Sequence, residues 1–197
     1  MARRPPPTSR RPRQSNLVRI IGGEHGGRRL RFPDADGLRP TADRVRETLF
    51  NWLQPRLPGA RCLDLFAGSG ALGLEAASRG AGEVVMVERA PRVAEQLRRN
   101  VELLELGQVR VIQADALGWL AGDPQPFDIL FLDPPFHRDL LAGACRRLAE
   151  RGWLAPAARI YLERDAADPL PPLPEAWTQL KEKRAGQVCY HLFAGPE

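Results

Sequence analysis

Two prolines directly follow an acidic residue in the segment Asp133-Pro134-Pro135-Phe136, which comes after a strongly apolar run. Proline has no N–H and its ring fixes φ, so the backbone here is stiff and offers only carbonyl oxygens. The Asp133 carboxylate and the Pro134 carbonyl then form a rigid pair of hydrogen-bond acceptors that suits an NH₂ group. Phe136 adds an aromatic face for stacking. We therefore predict that this segment holds a planar group bearing an exocyclic amine.

A second segment, Asp64 to Gly73, follows another apolar run and is rich in small residues. Its glycines permit a sharp turn, and the N–H groups at the start of the next helix attract an anionic group. Residues 68–73 also match G-x-G-x-x-G literally, so a dinucleotide remains a candidate ligand. The predicted contacts of this segment are Asp64, Phe66, Ala67, Gly68, Ser69 and Gly70.

Acidic residues also follow the next two predicted strands. Glu88 can accept hydrogen bonds from both hydroxyls of a ribose, and Arg89 is assigned to the same site. Asp115 either accepts the exocyclic amine of an adenine or caps the helix that begins at Ala116, which joins the predicted site. These residues indicate a nucleoside cofactor, and they fit NAD and S-adenosylmethionine equally well.

The amine-binding segment distinguishes the two cofactors. An exocyclic amine of a nucleobase is a poor nucleophile because its lone pair is delocalised into the ring. Two acceptors that hold its hydrogens favour a more pyramidal nitrogen and direct the lone pair at an electrophilic methyl group. A hydride-transfer enzyme has no use for this arrangement, so we predict methyl transfer from S-adenosylmethionine.

The elements that position these residues alternate between strand and helix from Arg61 onward and end in an antiparallel pair of strands. This order predicts an α/β fold with an open, mostly parallel sheet and a C-terminal hairpin. Upstream, residues 17–32 predict a β-hairpin. A helix follows that is capped by Thr41 and ended by Pro55.

Positive charge is concentrated in the N-terminal part of the chain. Residues 1–46 contain 12 Arg and 4 acidic residues, whereas the rest has 17 basic and 20 acidic residues. Clustered cations are typical of nucleic-acid binding, with a solubilising tail as the alternative. We expect residues 1–16 to form a disordered basic arm. The predicted RNA contacts are Arg28, Arg29, Arg31, Arg39, Arg44 and Arg46.

Composition excludes other classes. The 197 residues are 43% hydrophobic, which predicts a buried core, but no apolar run is long enough for a membrane span or an export signal. Three widely separated cysteines favour neither a disulfide framework nor a zinc cluster. We expect a cytoplasmic protein without a metal, and a monomer by default.

At these motifs the chain resembles class I S-adenosylmethionine-dependent amino-methyltransferases. The segment from Arg39 to Leu53 (RPTADRVRETLFNWL), with residues 19–23 before it, is similar to RsmD-type guanine-N2 methyltransferases of small-subunit ribosomal RNA. The resemblance runs from Leu17 to the C-terminal hairpin. It implies a Rossmann-like seven-stranded sheet and an RNA-binding extension over residues 17–56, before a methyltransferase domain over residues 57–197.

The resemblance also implies a substrate, 16S ribosomal RNA in the small subunit or its assembly intermediate, with S-adenosylhomocysteine as the product of the cofactor. It places the cofactor's methyl group opposite Asp133, while Arg39 and Thr41 are alternative ligands for its carboxylate. Three rival functions stay open. They are methylation of an adenine or cytosine amine in DNA or another RNA, a nicotinamide-dependent oxidoreductase, and an assembly factor without activity.

Overall fold

The computed structural model describes residues 16–34, 40–135 and 140–197. Residues 1–15 of the predicted arm, together with Arg39 and Phe136, lie outside these ranges. In the part of the chain that is described, no helix combines the length and the apolar character needed to cross a membrane. The three cysteines are buried free thiols.

A seven-stranded sheet forms the centre of the molecule. Its strands are β3 (Arg61–Asp64), β4 (Glu83–Glu88), β5 (Val109–Gln113), β6 (Phe127–Leu132), β7 (Leu154–Asp165), β8 (Thr178–Ala185) and β9 (Val188–Ala194). The order across the sheet is β5-β4-β3-β6-β7-β9-β8, in which the first five are parallel and β9 runs antiparallel to both of its neighbours. The predicted mostly parallel sheet with a C-terminal hairpin is confirmed.

Helices connect the strands and cover both faces of the sheet. They are α1 (Asp43–Leu53), α2 (Gly73–Ser78), α3 (Pro91–Leu103), α4 (Ala116–Trp119) and α5 (Leu140–Glu150), and a 3₁₀ turn over Gln54–Arg56 follows α1. Neighbouring residues of a strand point to opposite faces, so Cys62 joins one buried cluster and Leu63 the other. Residues of α1, α2 and α3 lie in the first cluster, and residues of α4 and α5 in the second.

The predicted N-terminal hairpin is present as β1 (Leu17–Arg19) paired antiparallel with β2 (Arg29–Arg31). Its connecting loop is held against α2 by the buried carboxylate of Glu75, which accepts hydrogen bonds from the backbone N–H groups of Ile21 (2.7 Å) and Gly22 (2.9 Å). At Gly23, φ is +76°, and a Cβ would come within 1.9 Å of the Ser78 carbonyl oxygen. Glycine at this position therefore allows the two backbones to meet.

Candidate active site

The carboxyl ends of the parallel strands open into a cleft of about 430 Å³. Ligands of open α/β sheets bind at this edge, and the volume lies within the usual range for a small-molecule site. Every predicted cofactor contact except Gly70 lines the cleft, as do Asp133, Pro134 and Pro135. The sequence motifs thus meet in one place, although they are far apart along the chain.

Gly70 is not a lining residue of the cleft, and it packs against the helices next to the turn. Its φ is +81°, and a Cβ there would approach side-chain carbons of Leu97 and Leu74 at 2.7 and 2.8 Å. Asp64 closes the same turn, because its Oδ2 accepts a hydrogen bond of 2.9 Å from the N–H of Gly73. Burial raises the pKa of Asp64 to about 7, and the Gly73 hydrogen bond opposes this increase.

Glu88 joins the end of β4 to the glycine turn. One carboxylate oxygen accepts the N–H of Gly68 at 3.0 Å, and the other accepts the N–H of Ala90 at 2.7 Å. Each carboxylate oxygen has a second lone pair, so a bound diol can still be recognised from the cleft side. Arg89 is exposed at the rim.

Asp115 combines the two roles considered from the sequence. Its side chain occupies the N-cap of α4 and accepts the N–H of Gly118 at 2.9 Å through Oδ1. The residue is nevertheless exposed and lines the cleft beside Ala116. Capping fixes the orientation of the carboxylate and leaves its other oxygen available to a ligand.

Asp133 follows β6 and lines the cleft, where it is only partly open to solvent. The Thr41 hydroxyl donates a 2.9 Å hydrogen bond to its Oδ2. Burial raises the pKa of Asp133, while the Thr41 hydroxyl opposes this by stabilising the ionised form. The prediction that Thr41 caps α1 is wrong, because Ala42 occupies the N-cap and no side chain caps the helix. The Thr41 side chain instead contacts the acid 92 residues later in the chain.

Glu163 is a cleft residue that the sequence analysis missed. It lies near the end of β7, where only 4% of its surface is exposed, and it lines the cleft. The Tyr161 hydroxyl donates a 2.7 Å hydrogen bond to Glu163 Oε2. Burial, with a smaller contribution from the charge of Asp133, raises the pKa of Glu163. The signal was present in the sequence, since Glu163 is another acid at the carboxyl end of a parallel strand.

The predicted RNA-binding arginines that the structure describes differ in their exposure to solvent. Arg28, Arg29, Arg31 and Arg44 are exposed. Arg46 is only 1% exposed, so its predicted contact with RNA is wrong. Its guanidinium is instead paired with Glu75 and Asp43 and donates a hydrogen bond to the Thr41 carbonyl. A charged side chain on the apolar side of α1 is stable there because these acceptors neutralise it.

The sheet order, the antiparallel strand β9 and the cleft at the carboxyl edge define a class I S-adenosylmethionine-dependent methyltransferase with a Rossmann-like fold. The family model described as "Conserved hypothetical protein 95" matches residues 18–194, and the chain belongs to this family. The predicted membership of the RsmD type is confirmed by the relatives described next.

Similar proteins include "Ribosomal RNA small subunit methyltransferase D" of Escherichia coli strain K12, which is 50% identical over 179 residues and covers 91% of this chain and 90% of the relative. The protein of the same name from Haemophilus influenzae is 48% identical, covering 92% of this chain and 96% of the relative. The solved structure of yhhF from Escherichia coli has a TM-score of 0.87 and 47% identity, covering 91% of this chain and 98% of that one.

Proposed function

We propose that this protein transfers the methyl group of S-adenosylmethionine to the exocyclic N2 amine of a guanine in 16S ribosomal RNA. The observation that carries the proposal is the position of Asp133. Its carboxylate accepts a hydrogen bond from Thr41 and lines a cleft that is also lined by the ribose-binding and adenine-binding candidates. The names of the related proteins supply the class of substrate, small-subunit ribosomal RNA.

The cleft residues fit the cofactor part by part. The turn at Gly68 to Gly70 would hold the methionine end, Glu88 the ribose and Asp115 the adenine, with Arg89 at the rim. When bound, the cofactor supplies a methyl group that its sulfonium has already activated. The acidic side chains suit a ligand that carries a positive charge at its centre.

Asp133 and the Pro134 carbonyl would accept the two hydrogens of the guanine amine. Holding that nitrogen in line with the methyl carbon supplies several kcal/mol through positioning alone. The amine would take the methyl group as the C–S bond of the cofactor breaks, and S-adenosylhomocysteine would be left. The methylated nitrogen would then release one proton, which Asp133 would take up because it is the ionisable one of the two proposed acceptors. Phe136 and Phe66 would wall the bound base.

The exposed arginines of the hairpin and of α1 would contact phosphates of the RNA. We assign residues 17–56 to this RNA-binding extension and residues 57–197 to the methyltransferase domain. The substrate would be the small ribosomal subunit or its assembly intermediate, and the protein would act on it in the cytoplasm as a monomer.

A direct test uses small subunits from cells that lack the endogenous activity. They are incubated with the protein and S-adenosylmethionine, and the digested RNA is analysed for methylated nucleosides by mass spectrometry. The proposal predicts N2-methylguanosine at one position. A methylated adenosine or cytidine would assign a different base, and absence of product from both subunits and naked RNA would contradict the proposed function.

A further inference from the structure

The carboxyl group of Glu163 lies beside Asp133 without a part in the chemistry described above. Leu132 of β6 is paired with Leu162 of β7 in parallel register, so the next residues along the two strands, Asp133 and Glu163, are neighbours. Adjacent strands are roughly 4.8 Å apart, and residues in parallel register project to the same face. Two carboxylates therefore meet at the point where the amine of the substrate is expected.

A hydrogen bond from Tyr161 fixes the orientation of the Glu163 carboxylate. Tyr161 precedes it by two residues on the same face of β7, and its hydroxyl donates to Glu163 Oε2 at 2.7 Å. The described residues give Oε1 no hydrogen-bond donor. Oε1 is not among the fully buried unpaired atoms and the side chain lines the cleft, so this oxygen is open to the cleft. A ligand in the cleft is thus well placed to supply the missing donor.

Guanine carries such a donor next to its N2 amine. The ring N1 of guanine bears a hydrogen, whereas the ring nitrogen next to the exocyclic amine of adenine or cytosine has only a lone pair. A carboxylate beside the amine-binding acid would accept the N1–H of guanine and repel the other two bases. This complementarity concerns the base that is modified, so it rests on the proposed function.

We propose that Glu163 is the residue that selects guanine, by accepting its N1–H while Asp133 and the Pro134 carbonyl hold the N2 amine. Burial raises the pKa of Glu163 in the free cleft. An N–H donor and a cationic cofactor both stabilise the ionised form, so binding of the correct base and ionisation of Glu163 favour each other. A protonated Glu163 would instead donate a hydrogen bond, which suits the ring lone pair of the wrong bases.

The test compares guanine with 2-aminopurine, which keeps the 2-amino group but has a lone pair at N1. Small subunits are reconstituted with ligated 16S ribosomal RNA that carries either base at the methylated position, and kcat/KM is measured for each. We expect the wild-type protein to prefer guanine by roughly 10- to 100-fold, the discrimination typical of a base-edge contact. Glu163→Gln, whose amide can donate to N1, should reduce this ratio by about 10-fold or more.

A purely structural role for Glu163 would change both substrates by the same factor. An unchanged ratio in Glu163→Gln, with guanine still methylated by the wild type, would overturn this inference alone. Absence of guanine methylation by the wild type would overturn the proposed function and this inference with it.

Two further variants keep the test decisive. Glu175→Gln makes the same chemical change at an exposed position and should leave the ratio unaltered. Tyr161→Phe retains the Glu163 carboxylate but removes the hydroxyl that orients it, and it should lower the ratio by roughly 2- to 10-fold. If Glu163→Gln fails to fold, as shown by loss of its cooperative thermal unfolding transition, an unchanged ratio in Tyr161→Phe overturns the inference.

Discussion

Replacing Thr41 by valine should shift the pH dependence of methyl transfer. The Thr41 hydroxyl donates to Asp133 Oδ2 at 2.9 Å, and valine has the same shape but no donor. A hydrogen bond to a charged group contributes about 1.5–3 kcal/mol. Since one pKa unit corresponds to about 1.4 kcal/mol, losing it should raise the pKa of Asp133 by about 1 to 2 units.

The sign of the effect follows from the role assigned to Asp133. The ionised carboxylate is the stronger acceptor for its amine hydrogen and can take up the released proton, so activity falls as the pH drops through the pKa of Asp133. In Thr41→Val the acidic limb of kcat/KM should therefore move to higher pH by about 1 to 2 units, while the plateau at high pH approaches that of the wild type.

Single-turnover transfer of a labelled methyl group to small subunits between about pH 5.5 and 9 measures this shift. Thr48→Val is the matched control, because the Thr48 hydroxyl donates to the Arg44 carbonyl of the same helix. A Thr41→Val profile that is lowered by one constant factor at every pH would refute the reasoning, since it would indicate a change of position without a change of ionisation.

Three further predictions concern stability and RNA binding. Glu75→Gln should lower the free energy of unfolding by about 3 kcal/mol, because it breaks the buried ion pair with Arg46 and weakens the hydrogen bonds that hold the hairpin loop; a loss below about 1 kcal/mol in urea denaturation would contradict this role. The pKa of Asp64 rises from 3.8 to about 7 on folding, so its contribution to stability is complete below pH 3.8 and is lost as the pH rises through 7. Asp64 alone should therefore contribute a fall of about 1.4 kcal/mol per pH unit between these values, and Asp64→Asn should remove that part of the slope; a variant that keeps the wild-type slope in denaturation series across this range would be inconsistent with the assignment. Replacing Arg29 and Arg31 by glutamine should make the plot of log affinity for RNA against log salt shallower by about 1 to 2 in a filter-binding assay, and an unchanged slope would place the RNA elsewhere.

The sequence predicted the sheet and most of the cleft because those signals are local. Apolar runs mark the strands. The acids or glycines that follow a parallel strand lie at the carboxyl edge of the sheet, whatever position that strand occupies in the strand order. Asp64, Glu88, Asp115 and Asp133 were found in this way.

The errors arose at residues whose partners are distant in sequence. Thr41 precedes a helix and is a residue type that often caps helices, yet its hydroxyl donates its hydrogen bond to Asp133. Arg46 has the charge of a surface residue, but the pairing with Glu75 makes its burial favourable, and neither partner reveals the other in the sequence. Glu163 carries the same local signal as the other acids, but its proximity to Asp133 depends on the register of two strands, which the sequence does not show.

In the proposed reaction, Asp133 acts on the amine and not on the cofactor. The most direct measurement compares wild-type protein and Asp133→Ala in methyl transfer to small subunits, with S-adenosylhomocysteine binding to both measured by calorimetry. We predict that the variant binds S-adenosylhomocysteine as the wild type does and forms no detectable N2-methylguanosine. Transfer at the wild-type rate by Asp133→Ala would contradict this role of Asp133.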